Sequence, residues 1–184
     1  MPVPRYTVPS LTPEEGGKVA EILQGRLHSL NDLHLTLKHI HWNVVGPHFI
    51  GVHEMIDPQV DAVRAMVDEI AERIATLGVS PQGTPGALVA ARTWEDYHLG
   101  RAGAIEHLGA LDEVYRGVIT DHRKAAAETE ELDTVSNDML VGHLRDLEQF
   151  HWFVRAHLES ASGELATGDA TSELDAARRA KKVG

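Results

Sequence analysis

The chain contains no cysteine, which excludes disulfides and thiolate metal sites. Aromatic residues make up only 5% of it, and no stretch alternates apolar and polar residues as a half-buried strand would. An all-α fold is therefore expected. No apolar run is long enough to cross a bilayer, and the opening MPVPRYTVPSL lacks the apolar segment of a signal peptide. The chain reads as soluble and cytoplasmic. Basic side chains are also scarce: 17 Lys and Arg against 28 Asp and Glu leave a formal charge of -11. A body so charged does not bind nucleic acid by itself, and it suits an acidic interior that attracts cations. With 184 residues and no evident repeat, one domain with a proper core is expected.

What is present concentrates between His41 and Glu72. From Ile56 the large apolar residues fall at Ile56, Val60, Val63, Val67, Ile70, Ile74 and Leu77, the spacing of one buried helical stripe. Beside it runs a second stripe of His53, Asp57, Asp61, Arg64, Asp68 and Glu72. Carboxylates and a histidine next to a packed face need a partner or a metal.

His53 and Asp57 are one i,i+4 pair, Asp68 and Glu72 another, and each pair is able to converge on an ion. At 1.5 Å per residue, however, His53 and Asp68 stand about 22 Å apart along the axis, against ligand bonds of about 2.0 to 2.2 Å. One chain cannot bring them together. Two chains can, because the pattern is palindromic: antiparallel copies about a two-fold axis near residues 62 and 63 set His53 opposite Glu72 and Asp57 opposite Asp68. One isologous contact then creates two identical sites. His41 precedes His53 across a turn signalled by Gly46, Pro47 and Gly51, which folds it back beside His53. The candidate set is His41, His53 and Asp57 from one subunit with Asp68 and Glu72 from the other. Mixed imidazole and carboxylate ligands suit a labile Fe(II), Mn(II) or Zn(II).

The run HWNVVGPHFIGVHEMID followed by DEIAER resembles the signature of the Dps family, the ferritin-like mini-cages named as DNA-binding proteins from starved cells, in its actinobacterial type. The resemblance covers most of the chain and leaves only the tails variable. It implies a ferritin-like four-helix bundle assembled from two-fold dimers into a homododecamer, with ferroxidase centres at the dimer interfaces. It also implies that His41, His53, Asp57, Asp68 and Glu72 bind iron, that Fe(II) is oxidised by hydrogen peroxide or oxygen, and that the ferric product is stored inside. His41, Asp57 and Glu72 would hold the tighter ion, His53 and Asp68 the weaker. Trp42 would sit beside the centre and take up stray oxidising equivalents, or simply pack there.

Residues 1–11, with three prolines, read as an extended tail able to lie along a neighbour. The bundle follows over residues 12–161. Thr12-Pro13-Glu14-Glu15 is a capping box with proline at the first helical position. The first helix carries Val19, Leu23, Leu27, Leu30, Leu37 and Val44 on one side, with His34 as an interface or core-edge histidine. The second runs from about Gly51 to Leu77. Its Pro58 is awkward, since proline beyond the first turn removes a hydrogen bond; the alternative is a start at Asp57. Residues 78–92 form a Gly- and Pro-rich connection, in which Thr93 to Leu99 is expected as a short extra helix. The third helix follows Ile105, Leu108, Leu111, Tyr115, Val118 or Ile119, and His122. The fourth follows Leu140, Leu144, Leu147, His151, Val154 and Leu158. One long connection between the second and third helices completes the bundle pattern.

Other motifs compete. Glu148-Gln-Phe-His151 fits half of an intra-bundle di-iron centre, but the second helix offers Glu69 and Glu72 without a matching histidine. Glu95-Asp-Tyr-His98 lies in a connection and reads as solvated. His53 to Asp57 resembles a zincin pattern with an aspartate in place of the second histidine, a weak match. Asp138, His143, Asp146 and Glu148 are candidates for an acidic iron-entry pore, or only a wet helix face. Residues 162–184 read as a flexible tail ending in a cluster of Arg178, Arg179, Lys181 and Lys182. Repeated on many identical tails, that cluster binds DNA phosphates by multivalency, which places the protein on the nucleoid; the alternative is a basic helix end favoured by the C-terminal dipole. A structural nucleoid protein and an intra-bundle metalloenzyme are the rival functions.

Overall fold

The computed structural model describes residues 3–183. They form helices α1 (Pro13–Asn43), α2 (Phe49–Thr76), α3 (Pro85–Ala91), α4 (Ala104–Thr129), α5 (Thr134–Ala156) and α6 (Glu173–Val183), with two-residue strands β1 (Val44–Val45) and β2 (Ala102–Gly103) paired in parallel. Helix α1 starts where its capping box demands: the Glu15 backbone N–H donates to Thr12 Oγ1 at 3.2 Å, and the Thr12 N–H donates back to Glu15 at 2.8 Å. Helix α2 begins before Pro58 and passes through it, so His53 and Asp57 share one helix and the alternative start at Asp57 is not adopted. Pro58 has no N–H for the carbonyl of Glu54, a loss that the buried flank of Ile56, Gln59, Val60 and Val63 outweighs.

Helix α2 ends at Gly78, whose φ of +85° only glycine adopts without strain. A Cβ there would also meet the Tyr6 carbonyl at 2.2 Å. The N-terminal segment from residue 3 straps the start of its own α1 and the end of α2, with Pro4 buried. Residues 1 and 2 of that tail fall outside the described residues.

Contacts fix the helix directions. His143 of α5 reaches Glu69 of α2, and Tyr115 of α4 donates to Gln59 of α2 at 2.6 Å. Asn137 near the start of α5 donates to the Ala126 carbonyl near the end of α4. Helices α1 and α2 are thus one antiparallel hairpin, α4 and α5 another, and the connection from 77 to 103 crosses over so that α2 and α4 run parallel. The core is the aliphatic seam of these four, from Leu23, Leu27 and Leu37 through Ile56, Ile70 and Ile74 to Leu108, Leu111, Leu140 and Leu147.

The short extra helix exists, but at Pro85–Ala91 under a Thr84 cap and not at 93–99. The latter stretch is held open by tertiary bonds: Trp94 Nε1 donates to Asp32 at 2.7 Å, Tyr97 bonds His107 at 2.9 Å, and His39 Nε2 donates to the Leu99 carbonyl at 2.7 Å. Two side chains and one backbone carbonyl anchored to α1 and α4 displace a local helix that would turn them elsewhere.

The C-terminal tail also departs from expectation. Residues 173–183 are not a flexible end but a helix against α4, burying Ala176, Ala177 and Ala180. The approach is close enough that a Cβ on Gly109 would meet the Ala176 carbonyl at 2.7 Å and the Ala180 Cβ at 2.8 Å. An alanine seam carries little hydrophobic signal in sequence, although it packs as well as a larger one when the facing residue is glycine. Gly109→Val should lift α6 away: overpacking costs about 1 to 3 kcal/mol. Trypsin cleavage at Arg178 and Arg179 is expected to rise about tenfold through that opening, with helix content otherwise retained. Unchanged cleavage would mean that α6 does not depend on this seat.

Candidate metal centre

His41 lies in the last turn of α1 and His53 near the start of α2, joined by a tight connection in which Gly46 takes φ +97°. The two imidazoles lock each other. His41 Nδ1 donates to the His53 carbonyl at 3.0 Å, His53 Nδ1 donates to the His41 carbonyl at 2.9 Å, and the rings stack at 3.6 Å and 21°. A carbonyl only accepts, so both protons sit on Nδ1 and both Nε2 atoms keep the lone pair a metal requires. Phe49 closes one side, 4.9 Å from His53.

Asp57 stands one turn further along α2, with Oδ1 3.2 Å from His41 Nδ1. The same oxygen accepts from Lys38 Nζ at 3.0 Å. That hydrogen bond is the main reason the Asp57 carboxyl is held below the ordinary carboxylate range, with burial opposing and the nearby His41 adding to it. Lys38 was not singled out by sequence reasoning; its signal is a lysine one turn before His41 that also overhangs Trp42, 5.9 Å from the ring centre.

Asp68 and Glu72 lie exposed toward the far end of α2, and among the described residues neither side chain has an ion-pair partner. Nor, among those residues, do three His, Asp or Glu side chains of one chain gather as a metal cluster. Asp68 lines an open groove with Asn31, His34, Asp61 and Arg64 on the outer face of the α1–α2 hairpin. Burial, then Arg64 and Lys38, lower the pKa of His34 at the edge of that face, with Asp61 opposing. Trp42 is 71% exposed and therefore does not pack within its own chain; Leu35, seven residues earlier on α1, is 58% exposed.

Residues 20–163 match the ferritin-like domain model. Over 177 residues the chain is 57% identical to the DNA protection during starvation protein of Mycolicibacterium smegmatis, covering 96% of this chain and 97% of that one. The chain belongs to the Dps family. Among solved structures, DpsA14 from Streptomyces coelicolor is similar at a TM-score of 0.88 and 65% identity, covering 89% of this chain and 97% of that one. Dps of Mycobacterium smegmatis in its tetragonal form has a TM-score of 0.86 at 61% identity, covering 87% and 97%. The all-α ferritin-like bundle expected from the sequence is the fold of this Dps-family chain.

The remaining candidate sites separate. Asp138 and Asp146 are exposed on α5, and Glu148 is half-buried against Arg123 at 2.5 Å. His143 is withdrawn from them: it is buried, and its Nε2 meets Oε2 of the exposed Glu69 on α2 at 2.8 Å. Five residues of helix separate Asp138 from His143 and His143 from Glu148, about 140° of rotation each time, so the four do not share a face. The Glu148-Gln-Phe-His151 motif is likewise occupied. His151 Nε2 bonds Asp112 Oδ1 at 2.6 Å, which also accepts from Arg155 at 2.8 Å, and that guanidinium takes the place a cation would need. Glu95 and His98 form a surface pair at 3.5 Å. In the C-terminal cluster Arg179 is paired with Asp175 at 2.9 Å and Lys181 with Glu106 at 3.0 Å, whereas Arg178 and Lys182 are exposed and have no ion pair among the described residues. Gly184 falls outside those residues.

Proposed function

We propose that two copies dock antiparallel through the outer face of α1 and α2, and that each junction is a ferroxidase centre made of His41, His53 and Asp57 from one subunit with Asp68 and Glu72 from the other. The reciprocal His41–His53 lock supports this reading: it leaves two imidazoles with free Nε2 atoms one turn from Asp57, an incomplete ligand set that Asp68 and Glu72 do not complete within the chain. The exposed Trp42 and Leu35 supply apolar area for the second copy.

Fe(II) is the substrate. Two ions side by side give both electrons to one hydrogen peroxide: two Fe(II), one peroxide and two protons yield two Fe(III) and two waters, with no hydroxyl radical released. His41, Asp57 and Glu72 hold the tighter ion, and His53 with Asp68 the weaker. Lys38 occupies the Asp57 oxygen in the metal-free chain and must give it up as the ion enters. Trp42 stands where it is able to donate a stray electron. Assembly into a cytoplasmic dodecamer encloses the ferric product. Asp68→Asn with Glu72→Gln should stop the rise in ferric absorbance after Fe(II) and peroxide are mixed while the shell still sediments as the parent does. Undiminished oxidation would place the chemistry elsewhere.

DNA attachment rests on Arg178 and Lys182, repeated around the shell. Changing both to Glu should abolish retardation of duplex DNA at low salt without slowing Fe(II) oxidation. Removing residues 177 to 184 should do the same, and equal binding by the shortened chain would take the role from this helix.

A further inference from the structure

The bundle interior holds a second group of histidines. His122 of α4 has no exposure and neither ring nitrogen is hydrogen-bonded; His143 of α5, 5% exposed, has its Nδ1 unbonded. Its Nε2 meets Glu69 Oε2 of α2 at 2.8 Å. Three polar nitrogens buried without partners, on rings 5.7 Å apart and tilted by 47°, call for something between them. We propose that the space between His122 and His143 is a cation site separate from the dimer interface, taking a first-row divalent ion such as Co(II), Zn(II) or Fe(II) through one nitrogen of each ring.

The geometry fits. An ion about 2.1 Å from an imidazole nitrogen lies about 3.2 Å from the ring centre. Two rings at the observed 5.7 Å then subtend about 125° at the ion, between tetrahedral and trigonal. Glu69 accepts the Nε2 proton of His143, which leaves the lone pair on the inward Nδ1 and makes a carboxylate–imidazole support behind that ligand. Burial first, then the adjacent His143 and Arg26, push His122 down to about 3, so its ring is neutral and free to ligate. The Arg26 charge opposes a cation, but Asp121 lies 3.8 Å from it. With Glu69 included, the surroundings carry a net charge of -1. The Glu69 side chain is 59% exposed and stands at the opening. Two protein nitrogens leave the other positions to water, so binding is labile.

Cobalt(II) tests the site in shells carrying Asp68→Asn and Glu72→Gln, where the interfacial site is disabled. About one Co(II) per chain should bind, with visible absorption of a low-coordinate ion, and Zn(II) should raise the melting temperature. Adding His122→Leu should remove both effects while raising the melting temperature of the metal-free shell, because an unpaired polar group is replaced by an apolar one. Glu69→Gln should weaken Co(II) binding about 10- to 100-fold. Should His122→Leu not assemble, His143→Gln makes the same comparison. Equal Co(II) binding with and without His122, or none in the parent, overturns the proposal and leaves a buried water as the occupant.

Discussion

Two inactive chains, one carrying His41→Ala and His53→Ala and the other Asp68→Asn and Glu72→Gln, should together recover about a quarter of wild-type ferroxidase activity when co-refolded in equal amounts. Half of the dimers formed at random are mixed. In each mixed dimer one junction takes its imidazoles from the second chain and its Asp68 and Glu72 from the first, and is intact; the other junction keeps only Asp57. One working site in four follows. Either variant assembled alone should remain at background, and the shells should sediment identically. That fraction requires the imidazole pair and the Asp68–Glu72 pair to come from different chains. Ligands gathered within a chain would give none, and a reaction away from α2 would leave each variant active by itself.

Asp112→Ala should lower the melting temperature by roughly 10 °C, the largest effect expected from any residue outside the dimer face. Asp112 is 3% exposed and accepts from His151, Arg155 and Thr167 at 2.6, 2.8 and 2.5 Å. Removing it leaves the buried His151 imidazole and Thr167 hydroxyl without their acceptor and the partly exposed Arg155 without its counter-charge, a loss of about 3 kcal/mol. In a domain of this size each kcal/mol shifts melting by about 2 to 4 °C. Burial alone would raise the Asp112 pKa, but the bonds from His151, Thr167 and Arg155 outweigh it and hold the carboxyl far below the usual range. The folded value is thus depressed relative to an unfolded aspartate near about 3.9. Its stabilisation is complete above that value and is lost as the pH falls toward the folded one. The gap in melting temperature between wild type and Asp112→Ala should stay constant from pH 7 to 5 and narrow below about pH 4. A gap that widens in acid would contradict the assignment. Because Thr167 joins this network, the variant should also loosen α6 and expose Arg178 and Arg179 to trypsin.

The proposed interfacial set could be written down from the sequence because its information is one-dimensional. His53, Asp57, Asp68 and Glu72 lie on one helix, where a fixed rise and a fixed rotation turn sequence separation into distance, and Pro58 does not interrupt that conversion. Lys38 was not legible, because its contact with Asp57 joins two helices and no periodicity within either one reports it. The separation of His143 from the other pore candidates was hidden for the same reason. His143 resembles its polar neighbours in sequence, and only the presence of Glu69 and His122 opposite turns it into the core.

By itself the sequence determined the capped start of α1, the helical periods, the crossover and the impossibility of closing the metal set within one chain, all of which follow from local geometry. The tertiary structure alone decided where the short helix lies, that the tail docks as α6, and that His122 and His143 face each other within the bundle. Those outcomes depend on residues distant in sequence competing for the same space and the same hydrogen bonds, and a linear pattern holds no measure of that competition.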